Sequence, residues 1–222
     1  MNKRLVSLLA VILLISEMSM AQSSYKETPS LKWYNKGVHA FDNEEYGLAK
    51  KYFHKSIVDD FNKSTIMVYQ LLTNLALNEK KAGSQTENYL ELNPFASQKT
   101  ILTLALSNYY FNRNQYKKAL GFFHKLDVKL LTRSQENNYN YKLAFANFTQ
   151  KNYTKAKQYL IPISKSGAYQ KQANYYLGSI AMERQDYDAA LFHFGFVEED
   201  PKYYREIMYQ KLVILYSKND YQ

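Results

Sequence analysis

Four histidines, two acidic runs and 22 tyrosines are the residues of this 222-residue chain whose types suit chemistry. The histidines do not assemble into a metal site. His54 and His124 occur in matching contexts, Phe53-His54-Lys55 and Phe123-His124-Lys125. His39 and His193 have no ligand-spaced partner, and no His-Glu-x-x-His run is present. Zero cysteines remove disulfides, thiolate metal sites and cysteine nucleophiles together. There is no Gly-rich phosphate loop, nucleophile elbow or kinase signature. Asp59-Asp60 and Glu198-Glu199-Asp200 stand just before turns and read as surface carboxylates. No catalytic residue, cofactor or metal is therefore expected. The tyrosines offer a different chemistry, recognition, because each combines large ring area with a hydrogen-bonding tip at low entropic cost.

The elements that must position these rings are legible in a recurrence. Tyr46, Tyr116, Tyr153 and Tyr187 each follow a polar turn and precede an alanine by three residues; Tyr221 follows a fifth such turn. From Ala49 to Ala119 the step is two periods, and from there to Ala156 and then to Ala190 it is one period each. A period of roughly 35 residues marks a helical repeat array. Gly 7 and Pro 4 are sparse, which suits helices joined by short turns. Arrays of this kind present a long surface to another molecule.

Other residues extend the pattern. Trp33, Gly37, Ala49 and Phe53 stand at the bulky, glycine, small and aromatic positions of a repeating helix pair. Leu106, Tyr110, Ala119 and Phe123 follow, then Leu143, Ala144, Ala156 and Leu160, then Leu177-Gly178, Ala190, Phe194 and Pro201. With these residues the chain resembles the tetratricopeptide repeat family over nearly everything after residue 30. The resemblance implies an all-α, right-handed α-solenoid of stacked helix-turn-helix repeats, with the first helix of each pair lining a concave groove. It assigns groove-facing positions to Tyr34, Leu104, Tyr141, Tyr175 and Tyr209, to Phe41, Phe111, Phe148, Met182 and Tyr216, and to Asn108 and Phe145. The competing reading is that many of these rings pack between helices. The family's carboxylate clamp is not expected, since its lysine position holds Tyr or Leu here and only Asn108 matches its asparagine. In the repeat register His54 and His124 are two repeats and about 20 Å apart, too far to share a metal. Asn114, Asn152 and Asp186 stand where a side-chain acceptor would cap a second helix.

Residues 1–21 read as a signal peptide: a basic start, an apolar run from Leu5 to Ile15 and small residues at Ser19 and Ala21. The run is too short to span a bilayer. Residues 22–29 form an N-terminal extension, and 30–222 an array of about five repeats with an unpaired terminal helix. The second repeat is degenerate, because Ala82-Gly83-Ser84-Gln85 replaces the usual aromatic second helix; a flexible loop is the alternative there. The terminal segment 203–217 is apolar nearly all round, which predicts further repeats beyond it or a partner covering it.

Charge is uneven. Residues 99–171 hold 13 Lys/Arg against Asp127 and Glu136, whereas the whole chain carries +9. Lys117, Lys118, Lys125, Lys129, Lys155, Lys157 and Lys165 form a basic belt, read as a solvated face or as an anion-facing surface. Nucleic acid is not expected, since the tyrosines do not alternate with cations. The expected function is a non-enzymatic, exported scaffold of the bacterial periplasm or cell envelope that binds a protein or peptide on its aromatic face. Two rivals remain: the sensory portion of a longer membrane signalling protein, and a binder of an anionic envelope component through the belt.

Overall fold

A computed structural model describes residues 29–56, 63–94 and 97–218. Among these residues the chain is all-helical, with eleven α-helices, one 3-10 turn and no strand. It divides into two compact units, one ending at Asp127 and the other beginning at Val128. The signal-peptide reading, the N-terminal extension, Asp59-Asp60 and Tyr221 lie outside the described residues. No helix among the described residues is long and apolar enough to cross a membrane.

The first unit contains α1 (Pro29–Asp42), α2 (Tyr46–Lys55), α3 (Lys63–Ala76), α4 (Ala82–Leu92), α5 (Lys99–Asn112) and α6 (Tyr116–Phe123). They pack as antiparallel pairs, α1 with α2, α3 with α4 and α5 with α6, and α3 also packs on α2 and α5. Residues 82–92 are helical, so the polar stretch of the second pair is not a loop. The second unit contains a 3-10 turn (Val128–Leu130), α7 (Arg133–Thr149), α8 (Tyr153–Ser164), α9 (Gln170–Glu183), α10 (Tyr187–Gly195) and α11 (Tyr204–Ser217). Here α7 pairs with α8 and α9 with α10, and α8 packs on α9.

All five pairs share one turn. Glu44, Asn78, Asn114, Lys151 and Gln185 are left-handed, with φ between 56° and 61°. The next residue's N–H reaches back five places, Glu45 to Ala40, Glu79 to Asn74, Gln115 to Tyr110, Asn152 to Asn147 and Asp186 to Ala181, at 2.8–3.1 Å. The left-handed residue's own N–H reaches back three places. These two bonds satisfy helix-end carbonyls in the Schellman arrangement, without a glycine. Except in the α3/α4 pair, a tyrosine two residues beyond the left-handed position opens the next helix. The alanine three residues further on is fully buried in each case, at Ala49, Ala119, Ala156 and Ala190.

Capping is less uniform than the sequence suggests. Asp186 accepts a bond from the Ala189 N–H at 3.2 Å, but Asn152 makes no side-chain cap. Asn114 is itself the left-handed residue, and its Oδ1 accepts the Tyr116 hydroxyl at 2.8 Å. The chain's reciprocal capping box lies elsewhere, between Thr132 and Gln135 at the start of α7.

Small residues set how closely the paired helices approach. A Cβ added at Gly37 would lie 2.6 Å from the Phe53 ring, and one at Gly178 would lie 2.5 Å from the Phe194 ring. Ser107 with Phe123 and Ala144 with Leu160 repeat the same sequence offset, and all four are fully buried. Burying each such ring or leucine contributes about 1.5–3 kcal/mol. Successive pairs in the second unit are also linked alike. Arg184 donates to Thr154 Oγ1 at 3.1 Å, and one repeat further on Lys218 pairs with Asp188 at 2.7 Å. These links are exposed and fix register more than they add stability.

Candidate functional site

In the second unit, α7 carries Tyr141, Phe145 and Phe148 at i, i+4 and i+7, and therefore on one helix face. Helix α9 adds Tyr175, Tyr176 and Met182. Tyr141 stacks on Tyr169 with ring centroids 4.8 Å apart and planes 18° apart. Tyr175 stacks on Tyr203 at 4.5 Å and 24°. Both members of the second stack lie exactly one repeat beyond the members of the first, so one ring contact has been written twice. Tyr176 joins the two helices: it meets Phe145 edge-on at 5.6 Å, Phe148 at 4.9 Å and Tyr175 at 5.3 Å. Most of the set is half-buried, while Tyr203 is 8% exposed.

The phenols of this face are held neutral. Burial, followed by the neighbouring Tyr141, Tyr203 and Tyr175, pushes Tyr176 well above the ordinary tyrosine value. Burial acts first on Tyr141 and Tyr175 as well, in the same direction. Each hydroxyl therefore remains available as a donor. Asn138 Nδ2 donates to the Tyr169 hydroxyl, which holds the outer ring of the first stack. One cation lies at the edge, Lys202, with its ammonium 4.9 Å from the Tyr203 ring centroid. A hydrogen bond with Tyr203 raises the pKa of Lys202, so it stays charged. Deeper on α7, burial lowers the Lys142 ammonium to about 8.

The first unit distributes its candidate residues differently. Tyr34 is half-buried and meets Tyr69 edge-on at 5.9 Å. Phe41 is 3% exposed, enclosed by the rings of Tyr46 and Tyr69 at 5.4 and 5.5 Å. It and Leu104, also 3% exposed, are core residues and offer no surface to a partner. Phe111 is half-buried, edge-on to Tyr116 at 5.5 Å, and Asn108 lies on the same helix, α5. Tyr209 of the second unit stands apart at 61% exposed, on α11.

The chain matches no family model, no curated protein and no solved structure. Its functional reading rests on the residues themselves.

The belt lysines are all exposed. Lys117, Lys118 and Lys125 belong to the first unit, and Lys129, Lys155, Lys157 and Lys165 to the second. Lys118 is engaged by Glu87 at 3.8 Å and the Tyr110 ring at 4.8 Å, and Lys125 lies over Phe122. His39, His54 and His124 are exposed, and His193 is half-buried. Asn174 anchors its Nδ2 on the carbonyls of Ser164 and Gln170, which leaves its Oδ1 to accept His193 Nδ1–H at 2.9 Å. Burial, and then Lys157, lowers the His193 pKa. Among the described residues no group of three His, Asp or Glu side chains is placed to hold a metal ion. Glu198 and Asp200 are spent on Lys211 and Lys171, tying α10 and the turn after it to α11 and α9.

Sequence reasoning missed Tyr169, Tyr176, Tyr203 and Lys202. The signal for two of them was present, because Tyr169 and Tyr203 follow Tyr141 and Tyr175 at one constant interval.

Proposed function

We propose that the chain is a non-enzymatic binding scaffold: a solenoid of tetratricopeptide-like hairpins, exported to a bacterial cell envelope. It recognises a protein or peptide through the tyrosine-rich face of the second unit. The observation that carries this reading is the doubled ring stack, Tyr141 on Tyr169 and Tyr175 on Tyr203, supplied by successive hairpins. Rings locked by mutual packing lose little entropy when a ligand arrives, and their neutral hydroxyls supply directional donors. Lys202 at the edge favours a ligand with an acidic group near its end of the contact.

The test keeps the packing and removes the polar tips. Tyr141→Phe with Tyr175→Phe retains both stacks, and Lys202→Glu reverses the edge charge. Crosslinking from the native envelope fraction identifies what the wild-type chain holds, and titration of that partner then compares the variants. A loss of about 10-fold or more in affinity with unchanged helicity supports the face. Equal affinity across all three variants removes it.

A second reading has its own support. Lys117, Lys155, Lys157 and Lys165 are exposed and form no ion pair among the described residues. Lysines left without acidic neighbours suit an anionic envelope polymer. Retention on immobilised acidic polysaccharide at low salt, abolished by Lys155→Glu with Lys157→Glu, separates this reading from the first.

A further inference from the structure

Helix α11 repeats α9 one period later, and the correspondence shows what its exposed face is built to do. Ile207 and Ile214 are buried as Ala173 and Ile180 are. Asn174, Gly178 and Ala181, which α10 covers on α9, become Met208, Leu212 and Leu215 on α11, at 38, 65 and 46% exposed. Tyr175 and Met182 become Tyr209 and Tyr216, at 61 and 70%. Small residues that accept a close helix have been replaced by bulky apolar ones. A helix seated as α10 sits on α9 would collide with Leu212, so the face suits a looser contact.

The stripe is also self-complementary. With about 3.6 residues per helical turn, Tyr209 and Tyr216 lie on one side of Leu212, and Met208 and Leu215 on the other. In an antiparallel pairing about a two-fold axis at Leu212, Tyr209 meets Tyr216 of the second copy and Met208 meets its Leu215. Rings then face rings, aliphatic chains face aliphatic chains, and Arg205 falls beside a partner tyrosine as a cation on a ring. The five side chains expose on the order of 500 Å², so two copies bury about 1,000 Å², the threshold of a specific interface.

We propose that α11 is a self-association surface, through which two copies of this chain pair antiparallel across Leu212. This surface is separate from the ring-stacked face of α7 and α9, and either reading stands if the other fails.

The test uses the purified chain. Sedimentation from about 1 to 100 µM should show the mass rising from one copy towards two, and Leu212→Asp should weaken pairing at least about 50-fold. Because the chain has no cysteine, Leu212→Cys gives a second readout that leaves the face apolar. A short bis-maleimide should join two Leu212→Cys chains much faster than two Gly121→Cys chains, Gly121 being exposed with open space around it. A wild-type chain that is monomeric throughout, or equal crosslinking at both positions, overturns the proposal. Association that survives Leu212→Asp, with no crosslink at residue 212, overturns it too and assigns the contact to another surface.

Discussion

The α3/α4 pair and the α9/α10 pair share a turn but close in opposite ways. In α9/α10 the small residue, Gly178, is on the first helix and takes the ring of Phe194 from the second. In α3/α4 the equivalent first-helix residue is Leu71, and the position of Phe194 is taken by Glu87. The glycine has moved to the second helix, where Gly83 accepts Tyr109 and Tyr110 from α5; a Cβ there would lie 2.5 Å from the Tyr110 hydroxyl. Tyr110 then donates to Glu87 at 2.6 Å, and Tyr109 to the Glu79 carbonyl at 2.8 Å. One pair is closed by its own core. The other is closed largely by its neighbour, through polar tips at the ends of rings. A degenerate repeat can therefore persist when the next helix supplies what it lacks.

The contrast breaks most sharply at the aromatic position. Phe194→Ala should cost about 3–5 kcal/mol in urea unfolding. Glu87→Ala should cost only about 1 kcal/mol, the loss of one acceptor for Tyr110. Similar costs would mean that the two positions are not equivalent in the way the turn register implies. Next come the glycines. Overpacking at Gly178→Ala should exceed the gain of about 1 kcal/mol in helix propensity, for a net loss of up to about 2 kcal/mol. Gly83→Ala should lose less, and adding Tyr110→Phe should recover part of that loss by removing the nearest atom. No such relief exists for Gly178, where the ring carbons themselves are in the way.

The two units should also respond oppositely to pH. Burial raises the Asp42 pKa, and its Oδ1 has no hydrogen-bond partner. A carboxyl raised on folding favours the fold below its folded pKa and disfavours it once ionised. Asp42→Asn should therefore raise the melting temperature at neutral pH and remove a gain in stability that the wild type shows on acidification. In the second unit, the lysine lowered to about 8 penalises the folded state when protonated. Its contribution improves as pH rises through about 8 and is complete above the ordinary lysine value. Lys142→Met should abolish that alkaline gain, and a melting temperature that still climbs in the variant would assign the gain elsewhere. The smallest effect belongs to the turns. Lys151→Gly removes left-handed strain and should gain at most about 1 kcal/mol, whereas Asn114→Gly should be near neutral because asparagine tolerates that conformation.

Much of the helical framework was legible because it depends on steric exclusion. Only a small side chain fits at Ala49, Ala119, Ala156 and Ala190, so those positions announce themselves. Helix starts at Tyr46, Tyr116, Tyr153 and Tyr187 followed from the same spacing. The turn crests did not, since Glu44, Lys151 and Gln185 adopt a backbone that their side chains do not advertise. The binding face was half legible. Tyr141, Phe145, Phe148 and Tyr175 fall on helices whose period is plain, but their stacking partners Tyr169 and Tyr203 immediately precede the following helices, where no periodic pattern reaches. Phe41 shows the opposite failure: helical spacing alone does not report that Tyr46 and Tyr69 close over it.

The hydrogen bonds described for the five corners join main-chain groups, and their crests carry glutamate, two asparagines, lysine and glutamine. Spelling at those crests is therefore free to drift while the angle between helices is inherited unchanged. An ancestral gene can gain or shed whole hairpins, each arriving with its own corner already folded into it.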